Sequence, residues 1–225
     1  MAAEKRRGSR KLESSPATSE EILDVAEQLF GLHGLDGVSL RSIGVAAGSS
    51  NNYAVQYYFG DKDGLVRAIF ERRLPALEVQ RARLLGAVTA AGKDGDPRAL
   101  LEVILLPIAR ALDREGRCSY AAFLLGLNHF EGDYSPRSEA ADLAPLTHHV
   151  ASLMARALPH IPAAIFEERS MAAWTVFFSA LVRWDRRNAD GRAVLPREVM
   201  VASALDAAFG ALSAPVSQEV AGHIA

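Results

Sequence analysis

Apolar residues recur at three- and four-residue spacing along nearly the whole chain. No two-residue alternation competes with them, so the pattern predicts an all-α fold. Ile22, Val25, Ala26, Leu29 and Phe30 mark one face of a first helix, opened by the capping pair Thr18 and Glu21 and stopped at Gly34. Asp36-Gly37 makes a turn before Ser39, whose hydroxyl is suited to cap a second helix carrying Leu40, Ile43 and Ala47 on its apolar face. Gly48 sits where a left-handed residue ends that helix and turns the chain. Ser49 or Ser50 is placed to cap a third, short helix with Val55 and Phe59 turned inward. After the break at Gly60, Asp61 caps a fourth, with Leu65, Val66, Ile69 and Phe70 as its inner stripe and Pro75 expected to end or kink it.

Beyond Pro75 the pattern continues as longer helices. One runs over residues 75–91, and Asp96-Pro97 opens the next, carrying Leu100, Leu101, Ile104, Leu105, Ile108 and Leu112 with a kink expected at Pro107. An apolar segment over 118–130 precedes the polar stretch EGDYSPRSE. Further helices are expected over about 144–158 and 163–188, and from Pro196 to near Leu212. The organisation predicted is a basic flexible arm (1–17), a helix-turn-helix head (18–73), a helical-bundle body (74–213) and a flexible tail (214–225).

The second and third helices leave Asn51, Asn52, Tyr53, Gln56 and Tyr57 pointing mostly outward. Amides and phenols in a row on a short helix can bond base edges and phosphate oxygens. The plain alternative is a helical hairpin whose Ser/Asn cluster is only a loop. Arg41, in the first turn of the second helix, is also placed to meet phosphate. The net charge of -2 gives no overall pull toward nucleic acid, so distribution matters more than the sum. Lys5, Arg6, Arg7, Arg10 and Lys11 concentrate positive charge in the arm, which is either a solubilising tail or a minor-groove or phosphate contact. Lys62 stands against the dipole preference of its helix. A nearby phosphate would explain that placement; a solvated surface lysine is the other reading.

The segments EEILDVAEQLFGLHG, VSLRSIGVAAG and YYFGDKDGLV together resemble the DNA-binding head of the tetracycline-repressor (TetR) family. The last is similar to the family's aromatic-aromatic-Phe-x-x-Lys-x-x-Leu run, met by Tyr57, Tyr58, Phe59, Lys62 and Leu65. Between Gly48 and Phe59 the chain is one residue longer than the commonest family pattern. It is similar there to a subgroup reading Asn-Asn-x-Ala-Val-Gln-Tyr, here Asn51 to Tyr57. The resemblance implies phosphate contacts from Tyr57 and Lys62 and groove-facing roles for Ser50, Asn51, Asn52, Tyr53 and Gln56. It also implies a homodimer on a palindromic double-stranded operator, with the two late helices forming the dimer interface. The implied function is a sequence-specific transcriptional regulator, a repressor released by a mostly apolar small-molecule effector.

The late helices are apolar over more than one face. Met171, Trp174, Thr175, Phe178, Leu181 and Val182 lie on one, and Val199, Val201, Ala202, Leu205, Ala208, Phe209 and Leu212 on the other. Such helices must be buried, in a core or against a second copy. Tyr120, Phe123, Leu124, Asn128, His129, Trp174 and Phe177 are candidates for lining a ligand cavity, against plain core packing as the alternative.

No phosphate loop, nucleophile elbow or metal cluster is present, so the chain does not read as an enzyme, and no cofactor is expected. His129 near Glu131 and Asp133, or His148-His149, lacks convincing metal spacing. Cys118 reads as a redox sensor or, more plainly, a buried thiol. The competing function is a helical dimerising adaptor with a degenerate DNA-binding head. A single cysteine, a charged N-terminus and no membrane-length apolar run predict a cytoplasmic setting with no membrane partner.

Overall fold

The computed structural model describes residues 18–49, 51, 53–127 and 141–224. Among them every regular element is helical: α1 (Ser19–His33), α2 (Leu40–Ala46), α3 (Ala54–Phe59), α4 (Lys62–Ala90), α5 (Pro97–Arg110), α6 (Ser119–Gly126), α7 (Pro145–Ala157), α8 (Ala163–Ala189), α9 (Arg197–Ser213) and α10 (Gln218–Ile224). The architecture is all-α, a helix-turn-helix head leading into a helical body. Among the described residues no helix is long and apolar enough to cross a membrane.

The head closes around side chains that the apolar spacing selects. Thr18 and Glu21 cap α1 reciprocally, the Glu21 amide donating to Thr18 Oγ1 at 3.2 Å and the Thr18 amide to Glu21 Oε2 at 2.8 Å. Ile22, Ala26 and Phe30 are then fully buried against Ile43, Val55, Leu65 and Ile69. Burying each of the large ones stabilises the head by about 1.5–3 kcal/mol. Ser39 caps α2 as its position predicts, accepting from the Ser42 amide at 3.0 Å. Gly48, at φ +75°, turns the chain toward α3.

One expectation needs correction. Pro75 neither ends nor separates a helix: α4 is continuous from Lys62 to Ala90, so head and body share it. Pro75 is exposed, which leaves the Glu71 carbonyl to solvent, while Phe70, Leu74 and Leu77 anchor the helix on both sides. Pro107 lies within α5, in the helix where the apolar spacing places it. After Ala214, Arg169 bonds the Ala214 and Pro215 carbonyls, and α10 follows.

In the body, α8 and α9 pack along most of their lengths, with Phe177, Leu181, Ala204, Ala208 and Leu212 between them or beneath them in the core. Head and body meet chiefly where α1 crosses α6. A Cβ on Gly31 would stand 2.7 Å from Ala122 Cβ, and one on Gly126 would stand 2.3 Å from the Phe30 carbonyl oxygen. The two backbones therefore touch, and both glycines are needed for steric reasons.

Candidate functional site

α3 is six residues long and carries no charge. Ala54 and Val55 fix it to the head, and Val55 Cγ2 lies 3.4 Å from where a Cβ on Gly44 would be, so α2 and α3 cross closely. The opposite face presents Gln56 and Tyr57 to solvent, with Tyr53 just before it. Tyr57 is 83% exposed and Tyr53 71%, an unusual outlay of aromatic surface for a residue class that otherwise packs. The rings of Tyr57 and Tyr58 meet edge-on with centroids 5.3 Å apart, which holds the pair as a unit. Arg41 is exposed on the first turn of α2.

The turn into α3 differs from the serine cap expected. The helix has Tyr53 at its N-cap with no side-chain cap bond. Asn51 shapes the turn instead: its Oδ1 accepts the Tyr53 amide at 2.9 Å, and its own amide donates to Ser49 Oγ at 3.2 Å. One lone pair of the Asn51 side-chain carbonyl is thus already engaged with backbone. Lys62 also differs from its expected setting. Its Nζ donates to the Leu35 carbonyl at 2.8 Å, tying the start of α4 to the loop after α1. Ser50, Asn52 and the arm of residues 1–17 lie outside the described residues.

The body contains a cavity of about 670 Å³ between α4, α5, α6, α7 and α8. Tyr120, Leu124 and Trp174 are in its wall. Phe123 and Phe177 are not, contrary to expectation. Phe123 is fully buried among Phe30, Phe70 and Tyr120, with centroids 6.3, 5.5 and 5.9 Å away, and Phe177 is buried against Phe178. Asn128 and His129 lie outside the described residues. Apolar spacing alone cannot tell a cavity wall from the core behind it.

Two groups of buried charge escaped the sequence reading. Glu27, 1% exposed, receives both arms of Arg73 at 2.6 and 2.8 Å, Arg72 at 3.1 Å and the Ser119 hydroxyl at 2.5 Å. Those bonds, outweighing burial, leave the Arg73 pKa raised. Arg81, 3% exposed and in the cavity wall, pairs with Glu78 at 3.0 Å. The signal was available, since Arg81 continues the Phe70, Leu74, Leu77 stripe and Glu27 continues that of Leu23.

Cys118 is buried beneath α9, its Sγ receiving Arg197 Nη2 at 2.9 Å. Burial, with some help from Asp185, pushes the thiol up to about 11 against the pull of Arg197. That is the setting of an inert thiol. Among the described residues no group of three or more His, Cys, Asp or Glu side chains is arranged to hold a metal.

Residues 22–69, the segment that builds α1 to α3 and the start of α4, match the sequence pattern described as "Bacterial regulatory proteins, tetR family". The head carries the pattern of the tetR family. With that head in place, the chain is a DNA-binding transcriptional regulator. Regulators with tetR heads are typically not enzymes. The fold is similar to that of PfmR, a TetR family transcriptional regulator from Thermus thermophilus, at 18% identity and a TM-score of 0.50, over 91% of this chain and 100% of that one. Weaker likenesses are to superantigen pfit (18% identity, TM-score 0.47, 85% of this chain and 89% of that) and to a Vibrio parahaemolyticus TetR family protein (20%, 0.43, 84% and 97%). The likeness to PfmR is one of fold. No curated protein matches the chain.

Proposed function

We propose that the chain is a ligand-responsive repressor. A homodimer sets two α3 helices into successive major grooves of a two-fold operator, about 34 Å apart. The observation that carries this reading is the uncharged, exposed face of Tyr53, Gln56 and Tyr57, held rigid by buried Ala54 and Val55 on the other side of the same short helix. Residues 18–73 act as the reading head, with the Asn51–Tyr57 segment of the longer-turn subgroup at its tip. Gln56 reads base edges, and Tyr57, Tyr53 and Arg41 meet phosphates. Residues 74–213 act as the effector and pairing unit.

Pairing through α8 and α9 is supported by Val176 and Val199, which are 38% and 48% exposed in the single chain. An effector in the cavity between α4 and α8 would act on the head through α4, the helix both units share, and through the α1–α6 seam. It shifts the balance only by binding one head arrangement better than the other.

The adaptor reading is weaker, since nothing in it uses an exposed Gln and two tyrosines on a six-residue helix. Footprinting of the full chain on the DNA flanking its own gene tests the proposal. Protection of a two-fold site with half-sites about one helical turn apart is expected. Uniform, sequence-independent protection would overturn it.

A further inference from the structure

The cavity wall is largely apolar, with Leu74, Ile104, Leu124, Phe166, Met171 and Phe178 among its members. Its polar members differ in what they have left to give. The Thr147 hydroxyl donates to Glu78 at 3.0 Å and the Ser170 hydroxyl to the Phe166 carbonyl at 2.7 Å, so both hydrogens are taken. Arg81 Nε and Trp174 Nε1 are buried without any acceptor. A buried donor left without a partner is costly, so two in the wall of one cavity mark the place where a guest supplies acceptors.

Charge decides what kind of acceptor. Arg81 is not a free cation, because Glu78 faces it at 3.0 Å. Both Glu78 oxygens are engaged, Oε2 accepting from the Leu146 amide at 2.7 Å and Oε1 also from Thr147. The pair is neutral as a unit, and the wall's other carboxylate and its imidazole, Glu167 and His148, are solvent-exposed. A carboxylate would give up its hydration for a site already balanced by Glu78, and an ammonium would meet Arg81 with no free carboxylate beside it.

We propose that the cavity binds a neutral, mainly apolar molecule whose carbonyl-type oxygen accepts hydrogen bonds from Arg81 and Trp174. This names the ligand class for the effector site assigned above and rests on that reading. A volume of about 670 Å³ suits a drug-sized guest.

The chain has two tryptophans, and the second serves as a control, since Trp184 Nε1 already donates to the Leu195 carbonyl at 2.8 Å. The full-length protein, labelled with ¹⁵N at its indoles, is titrated with methyl octanoate, octanoate and octylammonium. The ester is expected to move the Trp174 indole proton downfield, to leave Trp184 in place, and to bind about tenfold tighter than either ion. Trp174→Phe, which keeps an aromatic ring in the wall, is expected to weaken the ester about fivefold. Tighter binding of either ion, an unmoved Trp174 signal at saturation, unchanged ester affinity in Trp174→Phe, or no binding of any probe would each overturn the assignment. Because binding is read without DNA, the two claims fail separately. An ester that binds as described yet leaves operator affinity unchanged removes the effector role and keeps the site.

Discussion

The Glu27 carboxylate of α1 is clasped by the guanidinium of Arg73 on α4 at 2.6 and 2.8 Å, although Glu27 is almost fully excluded from water. Ser119 at the start of α6 completes the arrangement, so one carboxylate joins the head, the shared helix and the body. Arg73 also lies over the Tyr120 ring at 5.8 Å, and Tyr120 is in the cavity wall. A chain of direct contacts thus runs from the cavity to α1.

Removing the charge from Glu27 leaves Arg73 without its paired carboxylate in a half-buried site, while the adjoining Arg72 keeps Asp24 at 2.8 Å. Glu27→Gln should therefore cost about 3 kcal/mol in chemical denaturation, the low end for a broken buried pair because both arginines are partly exposed. A cost within about 0.5 kcal/mol, the range of surface changes, would mean that the clasp contributes little.

The α1–α6 seam gives a steric counterpart. Gly126→Ala places a methyl against the Phe30 carbonyl oxygen, 2.3 Å from the ideal Cβ position, so the helices must separate. Overpacking of this kind costs about 1–3 kcal/mol. Gly86→Ala, on α4 with open space at its Cβ, should instead be neutral or stabilising by up to about 1 kcal/mol. Thermal denaturation of the two variants separates a helix-propensity effect from a seam effect.

The helices and their caps were legible because they follow from spacing and local chemistry: Thr18 with Glu21, Ser39, Asp61 and Asp96 each cap a helix where the pattern predicts one. Pro75 misled because its local penalty was weighed without the tertiary burial of Phe70, Leu74 and Leu77 around it. The exposure of Gln56 and Tyr57 follows from the burial of Val55 and the helical period, so the candidate reading face was also visible. The engagements of Asn51 and Lys62 with backbone were not, because each depends on a neighbouring turn whose geometry the spacing does not encode. Glu27 and Arg81 lie on apolar stripes whose register places them inside, although a stripe read from its apolar members alone leaves out its charged positions.

Cys118 supplies a test in pH. Its thiol is held up to about 11 by burial, so the folded chain keeps a proton that the unfolded chain releases near the ordinary thiol range. The associated stability is present at neutral pH and is lost as pH rises from about 9 through about 11. At pH 8 an aromatic disulfide reagent should react about a hundredfold more slowly with the native protein than with the chain in denaturant. Equal rates would make Cys118 a redox candidate again.

The arm is tested through salt. Its five cations, Lys5, Arg6, Arg7, Arg10 and Lys11, concentrate positive charge ahead of a head whose α3 carries none. Deleting residues 1–12 should flatten the slope of log affinity against log salt, by about 0.9 for each phosphate that the arm neutralises. An unchanged slope would make the arm a bystander.

The last prediction concerns the division of labour between two amides. Asn51 has its side-chain carbonyl oxygen on the Tyr53 amide and its own backbone amide on Ser49, so it organises the turn that aims α3. Gln56 is exposed on α3, and its side chain makes no hydrogen bond among the described residues, which leaves both ends available for a bidentate contact to adenine. Gln56→Ala should therefore cost about 1–3 kcal/mol on the operator and almost nothing on unrelated DNA. Asn51→Ala should instead loosen the turn and weaken both, because Tyr53 and Tyr57 lose their aim at the phosphates. Fluorescence anisotropy on operator and scrambled duplexes at one fixed salt concentration measures the two ratios. If Asn51→Ala erodes only the operator complex while Gln56→Ala weakens both equally, the roles are reversed, and the extra residue in the turn brings Asn51 rather than Gln56 to the bases.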